Sequence, residues 1–221
     1  MRLEFSKYEG TANDFVVVDR EALGGRELTT DEVRALCDRH RGIGADGVLL
    51  VGPSASGFSM KVVNADGSVP EMCGNGLRCV VAHLVRSGRA AEGELVVDTD
   101  AGPHRCTVTR EGDVLFVEVE MRVPSLAPDA VPVRADAPLV DAEILAHGRS
   151  LRVTAVSMGN PHAVTFDDVG LARAELGPIV QRDPRFPEGV NVGFARAVGD
   201  GLELFVYERG AGWTEACGTG A

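Results

Sequence analysis

The chain has 221 residues, 44% hydrophobic and 25% charged, a composition that suits one large or two modest folded domains. Its net charge of −11, with Asp and Glu spread along the length, argues against nucleic acid or an anionic membrane as a main partner. There is no basic-then-apolar leader and no apolar run of bilayer length. The five cysteines, an odd number without framework spacing, point to a reducing cytoplasm and not to a disulfide scaffold.

In chain order, Gly10-Thr-Ala-Asn-Asp-Phe-Val-Val-Val-Asp19 reads as a loop running into a strand. A helix is expected over Asp31–His40, capped by Thr29 or Thr30. Strands follow at Gly47–Val51 and Phe58–Val63, then a polar turn, Asn64-Ala-Asp-Gly-Ser68. The segment Glu71-Met-Cys-Gly-Asn-Gly76 leads into a helix, Leu77–Arg86, that Gly88 should stop. Strands at Glu94–Thr99, Arg105–Arg110 and Val114–Glu120 follow, the last two joined by a Glu-Gly-Asp turn. The proline-bearing crossover Val123–Pro132 is the best boundary, giving domains 1–123 and 124–221.

The second half repeats the first. Gly159-Asn-Pro-His-Ala-Val-Thr-Phe-Asp167 matches the first loop and strand, with a weaker helix near Leu171–Gln181. Strands at Gly189–Phe194 and Leu202–Tyr207 and a turn at Glu208–Gly212 lead to Glu215-Ala-Cys-Gly-Thr-Gly220. Val48 precedes Cys73 by 25 positions, and Val192 precedes Cys217 by the same 25. Matched order and spacing point to duplication. By this internal symmetry the second half lacks the helix and strands that follow Cys73, so a continuation past Ala221 is expected.

The pattern E-x-C-G-x-G therefore occurs twice, with its cysteines 144 positions apart. Each C-G-x-G reads as a loop opening a helix, where free backbone N–H groups and the helix dipole favour a thiolate and a bound carboxylate. Free cysteines are more often small core residues, and Cys37, Cys79 and Cys106 fit that role on their amphipathic or alternating elements. At Cys73 and Cys217 the flanking glycines remove bulk and expose the backbone, which favours function.

Three rival motifs fail on spacing. Cys73 and Cys79 are too far apart for structural zinc, so no metal is expected. Arg78 stands one position short of where a cysteine phosphatase loop needs its arginine. Gly42-Ile-Gly-Ala-Asp-Gly47 matches a dinucleotide fingerprint but has a helix before it and a strand after it, the reverse of the required order. With Lys7 and Lys61 as the sole lysines, neither in a cofactor-like context, no organic cofactor is expected. His162, taken alone, is more often structural. Asn13, Asn64, Asn160 and Asn191 sit at loop or strand ends and, with Glu208 and Arg209, make a pocket suited to a zwitterion.

At these residues the chain resembles the diaminopimelate epimerase family, cofactor-independent enzymes of bacterial lysine and peptidoglycan biosynthesis. ADGS…MCGNGLRC with ERGAG…ACGTG carries the resemblance, and matching segments span nearly the whole chain. It implies an α+β fold of two pseudo-symmetric domains, each a central helix wrapped by mainly antiparallel strands, with the active site in the cleft between domains and a homodimeric assembly. It further implies interconversion of L,L- and meso-diaminopimelate by thiolate and thiol. Cys73 and Cys217 would be the bases, and Gly74, Asn75, Gly218 and Thr219 the backbone donors to the reacting carboxylate. Asn13, Asn64, Asn160, Asn191, Glu208 and Arg209 would contact substrate, and His162 and Glu208 would tune the thiols. Gly47 departs from relatives that carry Gln there. A racemase of histidine or proline is the alternative within the class, and a non-catalytic amino-acid-binding protein the alternative outside it.

Overall fold

The computed structural model describes residues 3–215 and 217–220. The chain forms two compact units, Met1–Met121 and Arg122–Ala221. In the first, β1 (Ser6–Gly10), β2 (Asn13–Asp19), α1 (Thr30–Cys37), β3 (Gly47–Ser54), β4 (Gly57–Asn64), α2 (Gly74–Arg86), β5 (Gly93–Thr99), β6 (Gly102–Glu111) and β7 (Val114–Val119) follow in order. The seven strands make one sheet in sequence order. Two neighbouring pairs are parallel, β2 with β3 and β4 with β5. The crossovers that parallel pairing requires contain α1 and α2 respectively.

Alternation along β2 and β3 explains the position of the helices. Phe15, Val17, Leu49 and Val51 face the cluster built on Leu77, Val80, Val81 and Leu84 of α2. Val16, Val18, Val48 and Leu50 point the other way, onto Val33 and Cys37 of α1. A buried sheet with both faces covered reads as continuous apolar runs, which is what these strands show.

Helix ends depart from expectation for local reasons. Thr29 caps α1 in a reciprocal box with Glu32, but the helix stops at Cys37 and not at His40. Asp38 is extended there, and its carboxylate accepts the N–H groups of His40 and Arg41. Helix α2 starts three residues earlier than expected, because Cys73 is its N-cap and Gly74-Asn-Gly forms the first turn. Its end agrees, with Gly88 at a left-handed φ of 72°.

The second unit contains β8 (Ala142–Ala146), β9 (Arg149–Ser157), β10 (Pro161–Thr165), α3 (Arg173–Gln181), β11 (Asn191–Val198), β12 (Gly201–Glu208) and β13 (Gly212–Thr214). Its six-stranded sheet runs β13-β12-β11-β10-β9-β8. Strands β10 and β11 are parallel around α3, as β2 and β3 are around α1, and β12 returns antiparallel as β4 does. The two registers superpose: Phe15 pairs with Gly47, and His162 pairs with Asn191. Leu151, Val153, Ala155, Val192 and Phe194 meet Leu176 and Val180 of α3 in the core. The β8–β9 hairpin and the short β1 and β13 lie where no element was expected.

Candidate active site

The first half-site is built on the start of α2. Cys73 has extended backbone, and its Sγ accepts a hydrogen bond from the Gly76 N–H at 3.3 Å. That places the sulfur at the N-terminus of a 13-residue helix, the end that favours negative charge. Gly74, Asn75 and Gly76 are all buried in that turn. A Cβ on Gly76 would come within 2.9 Å of Leu49 Cδ2. The Asn75 side-chain amide oxygen accepts from Arg78, which also reaches Thr11.

Asn13, the first residue of β2, faces Cys73 with its amide oxygen 3.9 Å from Sγ. Its Nδ2 donates to Asp46 at 2.7 Å, and Asp46 also accepts from the Asp14 N–H at 3.0 Å. Arg39 then bridges Asp14 and Asp46, 2.7 Å from each, and Lys7 joins Asp14 from the other side. Burial opposes ionisation of Asp14, but hydrogen bonds from Arg39 and Lys7 overcome it and hold the carboxyl well below its usual range. Asp46 is thus a positioning group that the sequence reading missed. Its signal was an acidic residue just ahead of a buried strand, in the stretch set aside as a false nucleotide motif.

Asn64 ends β4 opposite Gly47, and its amide donates to Ser68 Oγ at 3.0 Å within its own turn. A Cβ at position 47 would lie 2.7 Å from the Val63 carbonyl oxygen. Glycine at this place is therefore a packing requirement of the β3–β4 pair as it stands.

In the second half-site Cys217 is 7% exposed, with Thr219 Oγ1 3.4 Å from its Sγ. Gly218 is exposed, while Thr219 is buried. Burial pushes the Cys217 thiol up to about 11, and the Glu208 carboxylate adds to this; Thr219 and the N–H groups of Thr219 and Gly220 oppose it. Asn160 donates to Thr219 Oγ1 at 3.1 Å. His162 Nε2 sits 3.1 Å from Asn160 Oδ1 and 3.0 Å from Thr219 Oγ1. Asn13 and Asn160 hold equivalent places, each two residues before the matched register pair.

The remaining candidates lie in the second unit, where Asn191 pairs in register with His162. Asn191 donates to the Pro161 carbonyl at 3.0 Å and accepts the Arg209 N–H at 2.8 Å. The Arg209 guanidinium donates to the Glu188 carbonyl. Glu208 accepts from the Thr214 hydroxyl, a partner absent from the sequence reading. Cys37, Cys79 and Cys106 are buried, and burial raises each thiol to about 11. Among the described residues no three His, Cys, Asp or Glu side chains converge as a metal ion would require.

Chemically, each turn offers one sulfur at its start, with the Gly76 N–H and the Asn13 amide near Cys73 and the Thr219 hydroxyl near Cys217. Such an arrangement can move a proton and can hold the oxygens of a carboxylate.

Known proteins resemble this chain over most of its length. The profile of the family described as Diaminopimelate epimerase matches residues 5–126 and 154–221. The chain is 42% identical to the diaminopimelate epimerase of Synechocystis, covering 100% of this chain and 81% of that one. It is 44% identical to that of Desulforudis audaxviator, covering 99% and 81%. Among solved structures, a probable proline racemase from Agrobacterium radiobacter has a TM-score of 0.72 at 18% identity, with coverage of 99% and 74%. A hydroxyproline epimerase from Agrobacterium vitis has a TM-score of 0.69, also at 18% identity and the same coverage. At that identity the likeness is one of fold.

Proposed function

The chain belongs to the diaminopimelate epimerase family, and on that premise we propose that it interconverts L,L- and meso-diaminopimelate using Cys73 and Cys217 as the two acid–base groups. It is a pyridoxal-independent isomerase. Inverting an α-carbon needs a base to take the proton from one face and an acid to return one to the other. One thiolate and one thiol do this in both directions, exchanging roles on each turnover. The carbanion that forms is delocalised into the α-carboxylate, whose added charge needs fixed donors in place before the reaction.

The observation that carries the assignment is the duplicated cysteine turn. The Cys73 sulfur takes the Gly76 N–H, and in the other half the Gly220 N–H closes the matching turn on the Cys217 carbonyl at 3.1 Å. Gly74 and Asn75, with Gly218 and Thr219, are the proposed carboxylate donors. Asn13, Asn64, Asn160, Asn191 and Glu208 are proposed substrate contacts, and the Arg209 fork suits the distal carboxylate. His162 and Glu208 are the proposed thiol-tuning groups. The product would serve lysine and peptidoglycan synthesis, in the cytoplasm and from a homodimer.

The test is incubation with L,L-diaminopimelate in deuterium oxide. The meso isomer should accumulate with one solvent deuteron at the inverted carbon. Racemisation of histidine or proline without any turnover of diaminopimelate would sink the substrate assignment.

A further inference from the structure

Around Cys217 the buried polar side chains are joined by hydrogen bonds. Asn160, His162 and Thr219 form a triangle of hydrogen bonds of 3.0 to 3.1 Å, and all three side chains are buried. His162 is 1% exposed, and its second ring nitrogen, Nδ1, is buried with no partner. Burial, helped by the Arg209 charge, pushes His162 down to about 4, so the ring is neutral at pH 7 and carries one proton.

Two arrangements of that proton are conceivable. If Nδ1 held it, a buried N–H would have no acceptor, which is the rarer and costlier kind of orphan. Nε2 would then be bare, and Asn160 would have to turn its amide nitrogen toward it. If Nε2 holds the proton, Nδ1 is only an unused acceptor, and Asn160 keeps its oxygen toward the ring and its nitrogen toward Thr219. The second arrangement gives the ring N–H an acceptor. The Nε2 proton is then shared between Asn160 Oδ1 and Thr219 Oγ1, so the Thr219 oxygen accepts from both the Asn160 amide and His162. The hydroxyl proton must then leave along the remaining direction, and Cys217 Sγ at 3.4 Å is the partner found there.

We propose that Thr219 is a positioning residue whose hydroxyl is aimed at Cys217 Sγ by the Asn160–His162 pair, so that it stabilises the thiolate form of that cysteine. This rests on Cys217 acting as an acid–base group, and it gives His162 a role that involves no change of its own charge. Around the sulfur, Glu208 on β12 works against the thiolate, while the N–H groups of Thr219 and Gly220 work with the hydroxyl. The first half-site has no hydroxyl in this place, since the residue matching Thr219 is Asn75.

The experiment is site-resolved alkylation by iodoacetamide at pH 9. After quenching, trypsin releases Cys217 in the peptide 210–221 and Cys73 in the peptide 62–78, each as the single cysteine. Thr219→Val keeps the shape and removes the hydroxyl. Modification of Cys217 should slow about fivefold, the factor that one hydrogen bond of ordinary net strength carries, with Cys73 unchanged. Thr219→Ser should restore the rate to within about twofold of wild type. An unchanged rate in the valine variant, or a serine variant as slow as valine, overturns the proposal. Should valine disturb the fold, visible as a changed Cys73 rate, Thr219→Ala against Thr219→Ser carries the same comparison, and equal rates overturn it. Alkylation is read without substrate, so a failure to epimerise diaminopimelate leaves these outcomes separate.

Discussion

The two cysteine turns share one sequence pattern, yet they offer the sulfur different surroundings. Cys73 is half-buried, caps a formed helix, and meets an amide that an ion network holds from behind. Cys217 is buried, meets a hydroxyl, and has a carboxylate nearby that resists ionisation. A duplicated motif has therefore been differentiated by its neighbours, through groups contributed by other strands. The proposed acid and base need not rest in the same protonation state, and unequal surroundings are how a protein separates such groups.

The bluntest way to break this comparison is to remove each thiol. Cys73→Ala and Cys217→Ala should each lower epimerisation by on the order of a thousandfold, within the range that general acid–base groups supply. Exchange of the α-proton with solvent, followed by mass spectrometry, checks each face separately. Full turnover in either variant would end the two-base assignment.

A smaller effect should separate the halves by pH. His162 is held neutral, so its folded pKa of about 4 lies under the ordinary 6.5. The unfolded chain binds that proton first as pH falls, so the stability is full above about 6.5 and drains away down to about 4. The loss should approach 2 to 3 kcal/mol, from a shift of this size. The Asp14 network acts in a different window: its carboxyl is depressed, so its contribution is intact above about 4 and lost in stronger acid. Urea midpoints measured from pH 7 to pH 4 should fall in wild type and flatten in His162→Gln, which keeps a donor but cannot titrate. Parallel curves for the two proteins would show that His162 is not the titrating group.

The smallest difference should come from the matched glycines. At Gly76 an added Cβ meets the buried Leu49 at 2.9 Å, whereas at Gly220 its nearest neighbours, Cys217 Sγ and Val206 Cγ2, are 3.4 Å away. Gly76→Ala should therefore cost about 1 to 2 kcal/mol, overpacking outweighing the gain in helix propensity. Gly220→Ala should stay within about 0.5 kcal/mol of wild type. Thermal melts of the two variants decide this, and equal shifts would remove the packing distinction.

Both cysteine turns, strands β2 to β4 and β10 to β12, and the capped start of α1 were legible because their signals are local. Glycine flanks, apolar runs and a Thr-x-x-Glu box act on backbone a few residues away. Strand β1 was not legible, since Ser6-Lys-Tyr-Glu-Gly10 is an edge that becomes a strand by pairing with β2. The β8–β9 hairpin turns at His147 and Gly148, both at positive φ, and a histidine there gives weak warning of a turn. The chemistry around the thiols belongs to the tertiary structure alone. Asp46 reaches Asn13 across 33 positions, Asn13 meets Cys73 across 60, and His162 meets Thr219 across 57. Sequence by itself determined where each sulfur stands on its turn, because the backbone there answers to its nearest residues. Strand register decided which polar groups surround it, because ionisation depends on distance through space, and distance along the chain does not measure that.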